Sequence, residues 1–404
     1  MKKFKLIILF VLLAGLIFLA SSGMSAGKVG FSLYDGPDVL FSKEYKISFK
    51  TRLEVFFFHK GDYFDYYEGL EDKSGALAKI NSKLQNDVLG AVSSAEKPSM
   101  PATVVWDKKN FTYTDGVFGV EIDEKALVAN IFAAFSKNFS VGLNKEPIPP
   151  SPTKEELQAA TVRLSSFSTY FINSSPERKH NIARAAELLD GTVVGPGGVF
   201  SFNSTVGPRT VERGFQTAHI IENGKFIDGV GGGVCQVSTT LYNAALLAGA
   251  DVTEVSRHSL PVSYVPLSFD AMVSSRQDLA FFNPTKYNIY ISAAADDKKI
   301  TFVFYGYPAY AGCKIVLRSE TLRTIEKDEY EIYQDAGELS ADQFEKVLKP
   351  PKCGYVSEGY LDVYKGGVLV SSKRIRKDTY MPQKGIKIIR APVTAPEEKL
   401  KVES

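Results

Sequence analysis

The chain is poor in the patterns that several common chemistries require. Its 404 residues contain only four scattered histidines and no H-E-x-x-H, so no zinc signature is present. Neither of its glycine clusters reads G-x-x-x-x-G-K-[ST] or G-x-G-x-x-G, which excludes a phosphate loop or a dinucleotide fingerprint. Nothing else in the sequence calls for a cofactor. Lysine and arginine (48) nearly balance aspartate and glutamate (46), and no basic stripe with interleaved aromatics occurs, which argues against nucleic acid as a partner. No apolar run reaches the roughly 20 residues of a full membrane span. Cysteine is scarce too, with three in all, so pairing two leaves one over.

The composition is otherwise that of a globular chain, long enough for two or three domains. The first residues, MKKFKLIILFVLLAGLIFLASSGMSA, join a lysine-rich start to an apolar run over 6–20 and then small residues. This is the pattern of a signal peptide, cleaved or kept as a membrane anchor, and it predicts export. Outside the cytoplasm Cys313 and Cys353, both near Gly and Pro turns of the C-terminal region, are the natural disulfide couple. Where thiols are not oxidised both would stay reduced. In either case Cys235 is left over.

Cys235 stands in the stretch around which the chain is organised, GVGGGVCQVSTTLYNAALLAG (229–249). Four of the first five residues are glycine, and a run of helix formers follows, ending at Gly249. Cys235 is therefore expected in the first turn of a helix, where free N–H groups and the helix dipole favour the thiolate. At about 100° per residue, Ser238, Thr239, Tyr242 and Leu246 share its face. The helix is apolar nearly all round and is expected to be buried with one polar end at a cleft.

Before it, 46–58 alternates in places as a strand does, and 106–122 carries more strand-like residues. Asp123 caps a helix over 124–135, with Leu127, Ile131 and Phe135 at helical spacing. The proline-rich KEPIPPSPT (145–153) reads as a linker. A strand over 164–171 precedes a helix capped by Ser175, with Pro176 at its first position and Gly191 at its end. After the cysteine helix, 254–266 and 269–283 read as strand segments broken by prolines, and 287–305 as a hairpin turning at 296–298. The tail is strand-rich, with turns at Gly366-Gly367 and 382–385, and the residues after Glu397 look disordered.

Several of these runs resemble the VanW domain: PGGVFSFNSTVGPRT (196–210), GGGVCQVSTTLYNAALLAG (231–249), HSLPVSYVP (258–266), DAMV (270–273) and DLAFFN (278–283). The region before it resembles the peptidoglycan-binding domain that often precedes VanW domains, through a strand reaching G-V-x-I-D and then a helix. The stretch over 358–393 resembles a G5-like domain, an elongated β module of exported surface proteins. The resemblance implies an α+β multidomain protein. Its parts would be a signal peptide or anchor (1–27), a mixed α/β peptidoglycan-binding domain (28–144), a linker (145–160), a VanW domain with a buried Cys-bearing helix against strands (161–306) and a small β-rich tail (307–404). It also implies an extracytoplasmic site, at the wall or on the outer face of the membrane, and peptidoglycan stem peptides as the partner. Some VanW proteins act as L,D-transpeptidases through a cysteine that falls on Cys235. One departure lies before the H-S-L-P run. Where relatives often carry an E-R-H-N-type stretch, this chain has Glu254-Val255-Ser256-Arg257, so Arg257 is the candidate substitute.

Acyl transfer needs a nucleophile, a base, an orienting group and oxyanion donors. Cys235 is the candidate nucleophile, His258 the base and Asp270 its orienter, with His219 and Asp278 as rivals. The backbone at Gly232, Gly233, Cys235 and Gln236 offers oxyanion or substrate donors. Ser238 and Tyr242 share the cysteine face. Among Arg209, Arg213, Arg257 and Arg276, the choice for holding a substrate carboxylate falls on Arg257 and Arg276. Two other readings use the same residues: a Cys-His peptidoglycan hydrolase, and a non-catalytic wall-binding scaffold with Cys235 as packing.

Overall fold

The computed structural model describes residues 27–48, 50–52, 55, 75–135, 138–222, 225–327, 329–335, 337–340 and 343–390. The expected export signal and the residues after 397 lie outside these. Among the described residues no helix is long and apolar enough to cross a membrane. The chain is a mixed α and β protein of open sheets, folded as two compact units. One holds the described residues up to 104 with 113–154, and the other 105–112 with 155 onward.

In the first unit, strand Gly27–Asp35 pairs antiparallel with Asp38–Ile47 and parallel with Asn138–Gly142. Period-two burial of Val29, Phe31 and Leu33 gives the sheet one apolar face. Helix Ser82–Ala95 sends Leu84, Val88 and Val92 into the same core, four residues apart on one stripe. Its cap is Asn81, whose side chain accepts from Lys83 N and Leu84 N. Asp123 caps Glu124–Ala134 in the same way, through Ala126 N at 2.8 Å.

Two expectations change here. The strand read over 46–58 stops at Ile47, 50–52 is helical, and 56–58 lies outside the described residues. The proline-rich 145–153 is not all linker. Lys145–Ile148 is an edge strand against Gly119–Ile122, with Pro147 opposite Val120, and an edge is where a sheet tolerates proline.

In the second unit, an antiparallel sheet runs in the order Val162–Tyr170, Lys299–Gly306, Ile289–Ala295, Thr192–Val194. The expected hairpin over 287–305 is its centre. Ile291, Ile300, Phe302 and Phe304, all fully buried, form the apolar face on which helices Pro176–Leu189 and Val234–Ala248 pack. A second sheet orders Val199–Ser201, Ala280–Phe282 and Asp251–Glu254.

Between those last two strands the chain is irregular, apart from a bridge between Ser256 and Met272. The strands expected over 254–266 and 269–279 are thus absent. Pro261 and Pro266 remove ladder donors, and side chains take over the remaining backbone groups. Ser238 and Thr239 donate to Ala271 O, Asn243 to Phe269 O, and Thr239 Oγ1 accepts from Ala271 N.

The tail after 306 lies in the same compact unit as residues 155–306. It holds a sheet of Cys313–Ile325, Gly354–Lys365 and Val368–Tyr380, and a second of Tyr330–Gln334, Gly385–Ile389 and Glu345–Lys349. The expected disulfide is not formed: all three cysteines are free. Cys313 opens its strand opposite Lys365, whereas Cys353 precedes Gly354, which faces Ile325 at the strand's other end. At about 3.3 Å per residue the two sit roughly 40 Å apart along one ladder, against the ~7 Å a bridge can span between Cα atoms. The turns beside the two cysteines are at opposite ends of the sheet.

Candidate active site

The glycine loop before Cys235 folds so that side chains from elsewhere in the protein can cross it closely. Gly231 and Gly233 have φ of +89° and +104°, in the left-handed region. A Cβ on Gly231 would lie 2.9 Å from Arg209 Cβ, and one on Gly233 would lie 2.9 Å from Ile182 Cγ1 and 3.0 Å from Arg178 Cγ. The stems of two arginines thus rest on these glycines. Asn181, fully buried, pins the loop by donating to Gly232 O and Gln216 O while its Oδ1 accepts from Gln216 N. Gly233→Ala is expected to cost about 1–3 kcal/mol of stability, read as a lower denaturant midpoint. An unchanged midpoint would mean that the loop accommodates a side chain here.

Helix Val234–Ala248 then starts without a side-chain cap and ends on left-handed Gly249. Cys235, half-buried in its first turn, reaches Val273 O with its Sγ at 3.3 Å, and His258 is the group that most favours its thiolate. His258 is buried, and its Nδ1 is 2.7 Å from Asp270 Oδ2, the oxygen that also accepts from His258 N at 2.7 Å. With an ionised carboxylate, Nδ1 carries a proton and Nε2 is left for the sulfur. The three expected residues lie at one site, with His258 bonded to Asp270 and electrostatically coupled to Cys235.

The charges follow from this geometry. Burial pushes the Cys235 thiol up, but the hydrogen bond and charge of His258 outweigh it, helped by the Val273 backbone and the charge of Arg209, and the net direction is down. Burial pulls the imidazole down, yet its bonds to Asp270 and Cys235 raise it to about 9. Asp270 is lowered: desolvation opposes its charge, while His258 and Tyr380 hold it ionised. A thiolate facing an imidazolium is the activated state of a nucleophilic cysteine.

Other expectations are redistributed. Gln236 N is spent on Gly233 O at 2.9 Å, so it is not an oxyanion donor. Cys235 N has no acceptor among the described residues and remains available. The Gln236, Ser238 and Tyr242 side chains are buried. Gln236 ties Arg178 to Thr169 and Tyr170 O, and Ser238 holds Ala271 O, so these two brace the site and do not meet substrate. Arg257 donates to His258 O at 3.0 Å, and Arg276 is exposed with no side-chain partner among the described residues.

The guanidinium groups whose charges act on Cys235 are instead those of Arg209 and Arg178. Neutral groups orient both: Arg209 donates to Asn203 Oδ1, and Arg178 to Ser174 Oγ and Gln236 Oε1. Asp278 accepts from Ser201 Oγ and Asn203 N, holding the start of a short helix, and its charge acts on Arg209 rather than on His258. His219 lies on strand Thr217–Glu222, and its side chain is outside the described part. Exposed Arg213 donates to Val206 O. Among the described residues no group of His, Cys, Asp and Glu side chains is placed to hold a metal.

Sequence reading missed Arg178, Tyr380 and Arg376. Arg178 left a trace: it lies four residues before Ile182, on the buried stripe of its helix, where a cation is out of place. Tyr380 and Arg376 left none, since over 100 residues separate them from Asp270.

Residues 177–305 match the family described as VanW like protein. The chain is 37% identical over 230 residues to the uncharacterized protein YoaR of Bacillus subtilis (strain 168), covering 55% of this chain and 70% of that protein. Two solved structures align to 19% of the chain: "IgA1 Protease G5 domain structure" (20% identical, 90% of that chain, TM-score 0.13) and "Crystal structure of HP0197-G5" (23%, 93%, 0.12). Scores this low bear no weight for the fold. The extent and identity of the match to YoaR, together with the matched domain around Cys235, His258 and Asp270, place this chain in the VanW-like family.

Proposed function

We propose that the protein is an exported cysteine acyltransferase of the cell wall that joins peptidoglycan stem peptides in the manner of an L,D-transpeptidase. The observation that supports this reading is the coupling of Cys235 to the bonded His258–Asp270 pair at the uncapped start of a buried helix. The thiolate adds to a stem-peptide carbonyl carbon, forming a C–S bond. The resulting oxyanion faces Cys235 N–H and the positive end of the helix. The C–N bond breaks as His258 Nε2 gives its proton to the leaving amine, and D-alanine departs. An amine of a second stem then attacks the thioester, loses a proton to His258 and expels the thiolate.

Arg178 and Arg209 suit the carboxylate of the leaving residue. Each is a half-buried cation beside the sulfur with only neutral hydrogen-bond partners, and guanidinium binds carboxylate by two parallel bonds. The lysine-led apolar N-terminus supports a place outside the cytoplasmic membrane.

The test is incubation of the purified protein with purified muropeptides, read by mass. A dimer lighter by one D-alanine is expected, and none from Cys235→Ala. Fragments in place of dimers would mean hydrolysis, and dimers formed by Cys235→Ala would end the proposal.

A further inference from the structure

Asp270 is held from two directions, and one of them is the C-terminal sheet. Tyr380, the last residue of strand Val368–Tyr380 and 1% exposed, donates its hydroxyl to Asp270 Oδ1 at 2.5 Å and accepts from Ser268 N at 2.8 Å. Arg376, four residues earlier, donates to the Asp270 carbonyl oxygen and places Nη2 3.9 Å from Oδ1. It is itself fixed by Asp378 at 3.1 Å and lies over the Tyr242 ring, 5.8 Å from its centre.

Each oxygen of Asp270 therefore has its own donor: Oδ2 takes His258, Oδ1 takes Tyr380 and the carbonyl takes Arg376. The fit extends to the backbone. Ser268 has a φ of +65° and is held by Ser357 Oγ at 2.8 Å, while a Cβ on Gly359 would lie 3.1 Å from Ser268 Cβ. The tail sheet is shaped to receive this turn.

We infer that the C-terminal sheet is a constituent of the active site, with Tyr380 and Arg376 as positioning residues for Asp270. The inference rests on the cysteine chemistry proposed above and adds a part to it. Without the Tyr380 hydroxyl, Oδ1 is a buried carboxylate oxygen with no donor in range, a costly arrangement. The carboxylate then turns toward Arg376 or retains a proton. Either response weakens its bond to Nδ1, makes the imidazolium less stable and withdraws support from the thiolate. The ionisable groups facing Asp270 are His258, Tyr380, Arg376, Tyr242 and Tyr264, with Cys235 beyond His258.

The experiment is the pH dependence of Cys235 alkylation by iodoacetamide in the full chain. Tyr380→Phe is expected to move the midpoint up by about one pH unit, a roughly tenfold slower reaction below both midpoints. Ser357→Ala, which loosens the same contact with Ser268 without touching Asp270, leaves the midpoint in place. Should Tyr380→Phe fail to fold, Arg376→Lys, which keeps the charge but loses the reach to the carbonyl, is expected to shift it in the same direction. If Asp270→Asn moves the midpoint while Tyr380→Phe does not, or if Ser357→Ala moves it as far, the inference is overturned and the cysteine reading stands. If Asp270→Asn moves nothing, the cysteine reading has failed first and takes the inference with it.

Discussion

On the proposed chemistry, replacing His258 with alanine is expected to lower turnover of muropeptides by about 10²–10⁴-fold and to shift ionisation of the Cys235 thiol to higher pH. Burial alone raises the thiol, and His258 supplies the largest opposing interactions. Removing the ring leaves desolvation opposed by the Val273 backbone, Arg209 and weaker groups, so the thiol moves up. The alkylation profile of the variant is expected to rise at higher pH than that of the native protein. Because thiol and imidazole exchange one proton between them, the native midpoint belongs to the pair and not to either residue. Superimposable profiles for the two proteins would show that the sulfur and the ring are not coupled, and the proposed chemistry would lose its base.

Asp270→Asn is expected to cost about 3–5 kcal/mol of stability, the usual penalty for breaking a buried ion pair from one side. Three donors converge on this carboxylate: His258 N–H, His258 Nδ1–H and Tyr380 O–H. An asparagine has one oxygen to offer them and sets an NH₂ against a donor on its other side. The loss also has a predictable pH dependence. His258 is raised from 6.5 to about 9 in the folded chain. Its contribution is fully present below 6.5 and disappears as pH climbs through about 9. Asp270 is lowered from 3.8, so its contribution is present above that value and fades on further acidification. The gap in denaturant midpoint between native and variant protein should be widest between about pH 4 and 6.5 and narrow toward pH 9. A gap that widened with rising pH would mean that His258 is neutral in the folded state.

Reading the sequence reached the cysteine helix because its signals are local. Left-handed glycines stand at both ends, good helix formers lie between them, and Cys235 is in the first turn. His258 and Asp270 were legible as residue types whose chemistry suits a thiol. The choice of Asp270 over Asp278 agrees with the carboxylate that bonds Nδ1, while Asp278 serves Ser201 and Asn203. The arginines whose charges act on Cys235 were not legible, for a physical reason. Arg257 and Arg276 are near His258 and Asp270 in sequence, but an irregular segment turns them elsewhere. Arg178 arrives from another helix, across the glycine loop. The supposed Cys313–Cys353 bridge failed similarly, since a shared composition of flanking turns says nothing of which end of a ladder each turn occupies.

What the chain specified by itself was what period and capping specify: the helices around Cys235 and after Ser175, the hairpin over 289–306, and a lone sulfur at a positive helix end. The tertiary structure alone decided which charges meet. It seated Arg178 and Arg209 beside the sulfur and drew Tyr380 from the far end of the chain onto Asp270. A proton relay depends on atoms about 3 Å apart, and strand register and helix packing set such distances between residues that share no local pattern.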